Sequence, residues 1–149
     1  MKKKIVMALS VLALAGWATG ALAAKTGTSP FTDNLTLTLN GFPTGTIFVA
    51  SYVDNNGVNI SGPAFFNTDA PTLVKIYSDN KAENGNPNMT MQYPTIFGTQ
   101  SCTLNFVDGP WTVLNYKNGS APVCAGITVG SITSVSQDNY TLTITDNEP

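Results

Sequence analysis

The sequence predicts an all-β protein, an antiparallel β-sandwich of about seven to eight strands of the immunoglobulin-like or jelly-roll-like kind. Three observations support it. Apolar and polar residues alternate in nearly every segment after residue 33. Turn-forming clusters of Gly, Pro, Asn and Asp separate these segments at intervals of about ten residues. No segment beyond the N-terminal region has the apolar spacing of a helix. The main alternative is a small closed β-barrel.

The strand predictions follow the alternation along the chain. In NLTLTLN, Leu35, Leu37 and Leu39 share one face of the first strand and the threonines share the other. The second strand, TIFVASYV, is apolar on both faces in its first half, which is typical of a central strand. It ends at the turn DNNGVN, because Asn and Gly tolerate positive φ. Six further strands are predicted at 72–77, 89–97, 102–107, 111–116, 124–135 and 140–145.

The first residues have the three parts of a secretory signal peptide. Lys2, Lys3 and Lys4 precede an apolar run at 5–14, and small residues at 21–23 form the cleavage site. We expect cleavage between Ala23 and Ala24, which leaves 24–149 as a single β-sandwich domain with a flexible lead-in at 24–32. The apolar run is shorter than the roughly 20 residues of a membrane-spanning helix. No cysteine directly follows that run to carry a lipid. The sequence therefore predicts a secreted or periplasmic bacterial protein that is not a lipoprotein and, after signal removal, does not span a membrane.

Two absences limit the chemistry of the chain, which contains no histidine and no arginine. Serine–histidine and cysteine–histidine catalysis are therefore excluded. Residues 24–149 carry four lysines and nine carboxylates, a net charge of minus five, which argues against a nucleic-acid partner. The sequence therefore predicts a non-enzyme without a cofactor. A carboxylate-dependent hydrolase remains an alternative, although no spacing favours it.

The two cysteines, Cys102 and Cys124, are predicted to form a disulfide because the chain is expected in an oxidising compartment. A flat meander of the strands at 102–107, 111–116 and 124–135 would separate the outer strands by about 9.6 Å. Bonded cysteines have Cα atoms within about 6.8 Å of each other. Either the third strand therefore crosses to the facing sheet, or it turns back beside the first.

Trp111 and Tyr116 are the candidate binding surface, since an exposed aromatic ring on a sheet can stack on a sugar or on a partner's side chain. Burial of Trp111 in the core is the competing interpretation. The acidic turns after the second strand and after residue 78 contain calcium-type oxygen ligands, but position twelve counted from Asp54 is Phe65 instead of a glutamate. They are interpreted as solvated turns, and no metal site is predicted.

These observations favour an exported, non-catalytic protein that binds a protein or glycan partner at the bacterial surface or outside the cell. The long runs of uncharged β-forming residues leave a second function open, that of a structural subunit of a fimbria-like surface polymer. The sequence does not determine the oligomeric state.

Overall fold

The computed structural model describes residues 31–54, 56–60, 62–78, 86–109 and 112–148, and every structural statement below refers to these residues. The predicted signal peptide, the Ala23–Ala24 cleavage site and Trp111 lie outside them. Of the predicted lead-in at 24–32, Phe31 and Thr32 already belong to the first strand. No helix long and apolar enough to cross a membrane occurs in the described part of the chain.

The described residues form ten strands arranged as two five-stranded sheets, which confirms the predicted β-sandwich. Their bounds are β1 (Phe31–Asn40), β2 (Ile47–Val53), β3 (Phe65–Asn67), β4 (Thr72–Ser78), β5 (Asn88–Thr95), β6 (Gly98–Gly109), β7 (Thr112–Tyr116), β8 (Ile127–Val129), β9 (Thr133–Ser136) and β10 (Asn139–Asp146). One sheet has the order β4-β1-β10-β8, with β9 also paired to β10. The other has the order β3-β2-β5-β6-β7.

Strand β1 lies in the interior of its sheet between two different kinds of neighbour. It pairs antiparallel with β4 and parallel with β10, with Leu35 opposite Tyr140 and Leu37 opposite Leu142. The parallel pair is an exception to the predicted antiparallel pattern. The first described strand therefore runs alongside the last one, and both end at the same edge of the sandwich.

Side chains from both sheets meet in a common core. The inward leucines Leu35 and Leu37 are buried, as the alternation predicts. On the facing sheet Phe48 stacks between Phe66 and Tyr93, with ring centroids 5.6 and 5.5 Å apart. Such offset aromatic contacts stabilise a core beyond the area they bury. This aromatic group holds the ends of β2 and β5 together.

The strand predictions need correction at several places. Strand β2 is not buried on both faces, because Ile47 is 55% exposed and Val49 also faces solvent. The outer face of β2 is open to solvent, since Ile47, Val49 and Ser51 are all exposed. Strand β3 was missed since its three residues give too short a period to detect. The predicted strand at 124–135 is two strands, β8 and β9, because the chain leaves the sheet between Val129 and Thr133.

Candidate functional site

The predicted disulfide partners are brought together across the sandwich. Cys102 points inward from β6, and Cys124 lies just before β8 of the other sheet, with 5.6 Å between the two Cα atoms. The cysteines are therefore at disulfide distance. Of the two topologies compatible with the pair, the structure has the one in which the chain crosses to the facing sheet.

Tyr116, one of the two residues of the predicted binding surface, does not lie at the surface. Tyr116 is only 5% exposed, its ring stacks on Phe106, and its hydroxyl donates a hydrogen bond of 2.7 Å to the carbonyl of Gly130. The alternation in β7 correctly separates two faces, but it is the Tyr116 face that turns inward, while Val113 faces solvent. Burial also raises the pKa of the Tyr116 hydroxyl. Tyr116 is thus a core residue that bridges to the segment after β8.

The predicted turn after β2 is held together by hydrogen bonds to the side chain of Asp54. Asp54 is buried, and its Oδ1 accepts the backbone N–H groups of Asn56 and Val58 at 2.9 and 2.8 Å. This pattern, in which an aspartate satisfies the backbone of its own turn, is common in loops. Within the described ranges, no group of three or more Asp, Glu or Cys side chains is placed to hold a metal ion.

A cavity of about 280 Å³ lies at one end of the sandwich, which we call the hairpin end. Three segments far apart in the sequence form it: the β1–β2 loop at 41–46, the β5–β6 turn, and the C-terminal residues after β10. They meet because β1 and β10 are parallel and end together, while β5 turns into β6 at the same edge. The cavity is lined by Phe42, Pro43, Thr46, Pro94, Thr95, Ile96, Asp146 and Glu148.

The β5–β6 turn presents two large apolar side chains to solvent. Thr95 pairs with Gly98, so Ile96 and Phe97 are the two residues of a tight hairpin turn and are 69% and 84% exposed. Gly98, with φ of +104°, adopts a backbone conformation that favours glycine. Tight turns usually carry Gly, Asn, Asp, Pro or Ser, so Ile and Phe at these positions need a reason other than turn formation. We call these two residues the apolar tip.

The apolar tip is held in place by hydrogen bonds. The Thr95 hydroxyl donates to the carbonyl of Gly98 at 2.9 Å and accepts the N–H of Phe97 at 3.1 Å. The N–H of Ile96 donates to Oε2 of Glu148 at 2.8 Å. These bonds fix the backbone of the turn, so the backbone loses little additional freedom on binding.

A second hydrogen bond fixes the position of Glu148. Its backbone N–H donates to Oδ1 of Asp146 at 2.9 Å. Its Oε1 is buried and accepts no hydrogen bond from the described residues. Burial raises the pKa of Tyr93, and the negative charge of Glu148 raises that pKa further. Tyr93 donates to the carbonyl of Ala125, so the segment before β8 is also attached to this end.

The hairpin end is negatively charged. Asp146 and Glu148 line the cavity, and Asp69 accepts the N–H of Gly45 in the adjoining loop at 3.2 Å. Neither Lys75 nor Lys117, the two described lysines, lines it. Phe42 forms an apolar wall and is fixed edge-on against Phe48, with ring centroids 5.0 Å apart. The cavity thus combines an aromatic and aliphatic wall with carboxylates.

Sequence reasoning missed this site because its parts are far apart in the chain. The strand prediction at 89–97 included Ile96 and Phe97, although Gly98 directly after them is a turn signal. The proximity of Glu148 to Ile96 has no local signal at all.

Comparison of the chain with protein-family models, curated proteins and solved structures finds no match.

Proposed function

We propose that the protein is an exported, non-catalytic β-sandwich that binds a protein or glycan partner at the bacterial surface or outside the cell, through the hairpin end. The observation that carries the proposal is the exposure of Ile96 and Phe97 on a braced turn beside a cavity. Large exposed apolar side chains next to a concave surface are typical of recognition sites. Two cysteines at disulfide distance are compatible with an oxidising compartment, which supports export.

The arrangement of the carboxylates supports binding over hydrolysis. A glycosidase that works with two carboxyl groups needs them on opposite sides of the reacting bond, at about 5 to 10 Å from each other. Asp146 and Glu148 line one cavity, but both are engaged in structural hydrogen bonds: Asp146 with the N–H of Glu148, and Glu148 with the N–H of Ile96. We therefore assign them to the shape and charge of the site.

The test compares the exported protein with the double variant I96S/F97S on a glycan array and on immobilised surface proteins of candidate host cells. V135S is the matched control, because Val135 is similarly exposed on β9. Binding that I96S/F97S loses and V135S keeps supports the proposal. Binding that both variants keep, or the absence of any ligand across both panels, contradicts it.

A structural subunit of a surface polymer is the second candidate, favoured by the position of β1. This strand fills the space between β4 and β10, and the β1–β2 loop is its connection to the rest of the described chain. A copy of β1 from a neighbouring subunit could occupy the same place, since both pairings of β1 are with strands distant in sequence. Sedimentation velocity over a hundredfold concentration range tests it: association supports the polymer, and a constant monomer mass contradicts it.

A further inference from the structure

We propose that the hairpin end recognises a lysine or arginine side chain of a partner protein, which enters the cavity between Phe42 and Glu148. The inference rests on the proposed function and names the class of partner.

The size of the cavity fits one side chain. Its volume of about 280 Å³ lies at or below the lower limit of pockets for small molecules, roughly 300 to 1,000 Å³. It is open to solvent next to the apolar tip, so a side chain can enter while its backbone lies over Ile96 and Phe97. These two residues then provide the apolar contact that anchors the partner.

The apolar walls and the carboxylates of the cavity together favour a ligand that has an apolar part and a positively charged part. Phe42, Pro94 and Ile96 offer apolar surface, while Asp146 and Glu148 offer negative charge. Lysine and arginine combine an apolar stem with a cationic end, and they bury the stem along apolar surface. A cation close to Phe42 is also attracted by the face of its ring.

The hydrogen-bonding groups of the cavity are acceptors. The hydroxyl protons of Thr46 and Thr95 are donated to the carbonyls of Pro43 and Gly98 at 2.7 and 2.9 Å. The N–H of Ile96 is donated to Glu148. A ligand group that only donates, such as an ammonium or guanidinium, is therefore complementary. Its positive charge also compensates the negative charge of the Glu148 carboxylate, which lines the cavity.

The negative charge of the hairpin end favours a basic side chain over an anionic membrane, a second copy of the chain or a neutral glycan. Asp69, Asp146 and Glu148 repel the head groups of anionic lipids, which weakens binding of this end to an anionic membrane. A second copy carries the same net negative charge of minus five over residues 24–149. A neutral glycan gains nothing from the carboxylate charge beyond hydrogen bonds. A partner with a basic group beside an apolar surface gains from both features.

The experiment is a titration of the ¹⁵N-labelled exported protein with blocked tripeptides, followed through the amide signals of Ile96 and Phe97. The probes are Ac-Ala-Lys-Ala-NH₂, its arginine analogue, and its norleucine analogue, which has an apolar stem and no charge. We expect the lysine or arginine peptide to bind at least about tenfold more tightly than the norleucine peptide. The variant E148Q, which keeps an acceptor for the Ile96 N–H, should lose about tenfold of that affinity.

D138N is the matched control, because it removes one negative charge from the β9–β10 turn at the opposite end of the sandwich. It should leave the affinity unchanged. Equal binding of the norleucine and lysine peptides, equal affinities of E148Q and the parent protein, or no shift at Ile96 and Phe97 with any peptide overturns the inference. Binding only to vesicles of phosphatidylcholine and phosphatidylglycerol, only to a neutral glycan, or only to a second copy overturns it as well. Glycan binding that I96S/F97S abolishes would leave the proposed function intact.

Discussion

The Glu148 carboxylate accepts the backbone N–H of Ile96 at 2.8 Å and so joins two segments that are 52 residues apart in the chain. One segment ends β10 and the other is the β5–β6 turn of the facing sheet. The bond therefore fixes the apolar tip relative to the opposite sheet. The recognition surface that we propose depends on this contact.

Replacing Glu148 by alanine should free the Ile96 N–H, lower the free energy of unfolding by about 1 kcal/mol and speed hydrogen exchange at Ile96. E148Q should keep most of the protection, because an amide oxygen can accept the same bond. Native-state hydrogen exchange measured by NMR tests both. Slow exchange at Ile96 in the alanine variant would show that the contact does not hold the turn.

Gly126 has no side chain and so leaves room for the Glu148 carboxylate. Its φ is +73°, and an added Cβ would lie 3.0 Å from Oε1 of Glu148 and 3.2 Å from Cγ2 of Thr95. G126A should lower the free energy of unfolding by about 1 to 2 kcal/mol from the backbone alone, with a further loss from the displaced carboxylate. Gly57 has φ of +80° and nothing within 4 Å of its Cβ position, so G57A isolates the backbone cost. Equal losses of unfolding free energy in the two variants would contradict the contact.

The pair Cys102–Cys124 should stabilise the fold by about 3 kcal/mol, because a bond at a sequence separation of 22 restricts the unfolded chain. Urea unfolding with and without a reductant measures the difference. The double variant C102A/C124A serves as the control and should not respond to the reductant. A parent protein whose urea midpoint is equally insensitive would mean that the bond does not form in solution.

Two buried tyrosines should make the protein sensitive to alkali. Burial raises the pKa of Tyr52 to about 12, and it raises the pKa of Tyr116 as well. In the unfolded chain tyrosine loses its proton near pH 10, so between pH 10 and 12 the unfolded state binds fewer protons and is favoured. The free energy of unfolding should therefore keep its full value below pH 10 and fall as the pH rises towards 12.

The variants Y52F and Y116F test this alkaline prediction. Each should unfold at lower urea concentration at pH 8, since it loses the hydroxyl bond to Pro63 or Gly130, worth about 1 kcal/mol. Each should also show a smaller decrease in unfolding free energy between pH 8 and 11 than the parent. A decrease of the same size would assign the alkaline sensitivity to other groups.

Substitution of the apolar tip should separate binding from stability. Ile96 and Phe97 are largely exposed, so I96S/F97S should change the free energy of unfolding by no more than about 0.5 kcal/mol. F48A removes a fully buried ring and should cost about 3 to 5 kcal/mol. Thermal and urea unfolding of the three proteins provide the comparison. A strongly destabilised tip variant would mean that these side chains support the fold instead of a partner.

The parts of the fold that sequence could predict are those governed by local alternation. Leu35, Leu37, Cys102, Leu104 and Phe106 point inward as their period-two pattern predicts. The spacing of Cα atoms in a disulfide also limited the cysteine topology to two arrangements. Where both faces of a strand carry apolar residues, as in β2 and β7, alternation does not say which face is inside. That is why Tyr116 was misplaced, and why the exposed Ile47 looked like part of a buried strand.

The candidate site could not be predicted from the sequence, because it exists only where distant strand ends meet. The parallel pairing of β1 with β10 places Asn40 opposite Thr145. This brings Phe42 and Glu148 to one cavity, although no residue near either of them in the chain indicates it. A hairpin turn formed by Ile96 and Phe97 departs from ordinary turn composition. Such a departure can be recognised only after the turn itself has been located.

The most direct test of the hairpin end as a recognition surface is site-specific photo-crosslinking in cells that produce the protein. A benzophenone side chain replaces Phe97 in one sample and the similarly exposed Val135 in the other. We predict a discrete adduct with a partner molecule from position 97, weakened by E148Q and absent from position 135. Identical adducts from both positions, or an adduct from position 135 alone, would contradict the assignment of the hairpin end as the binding site.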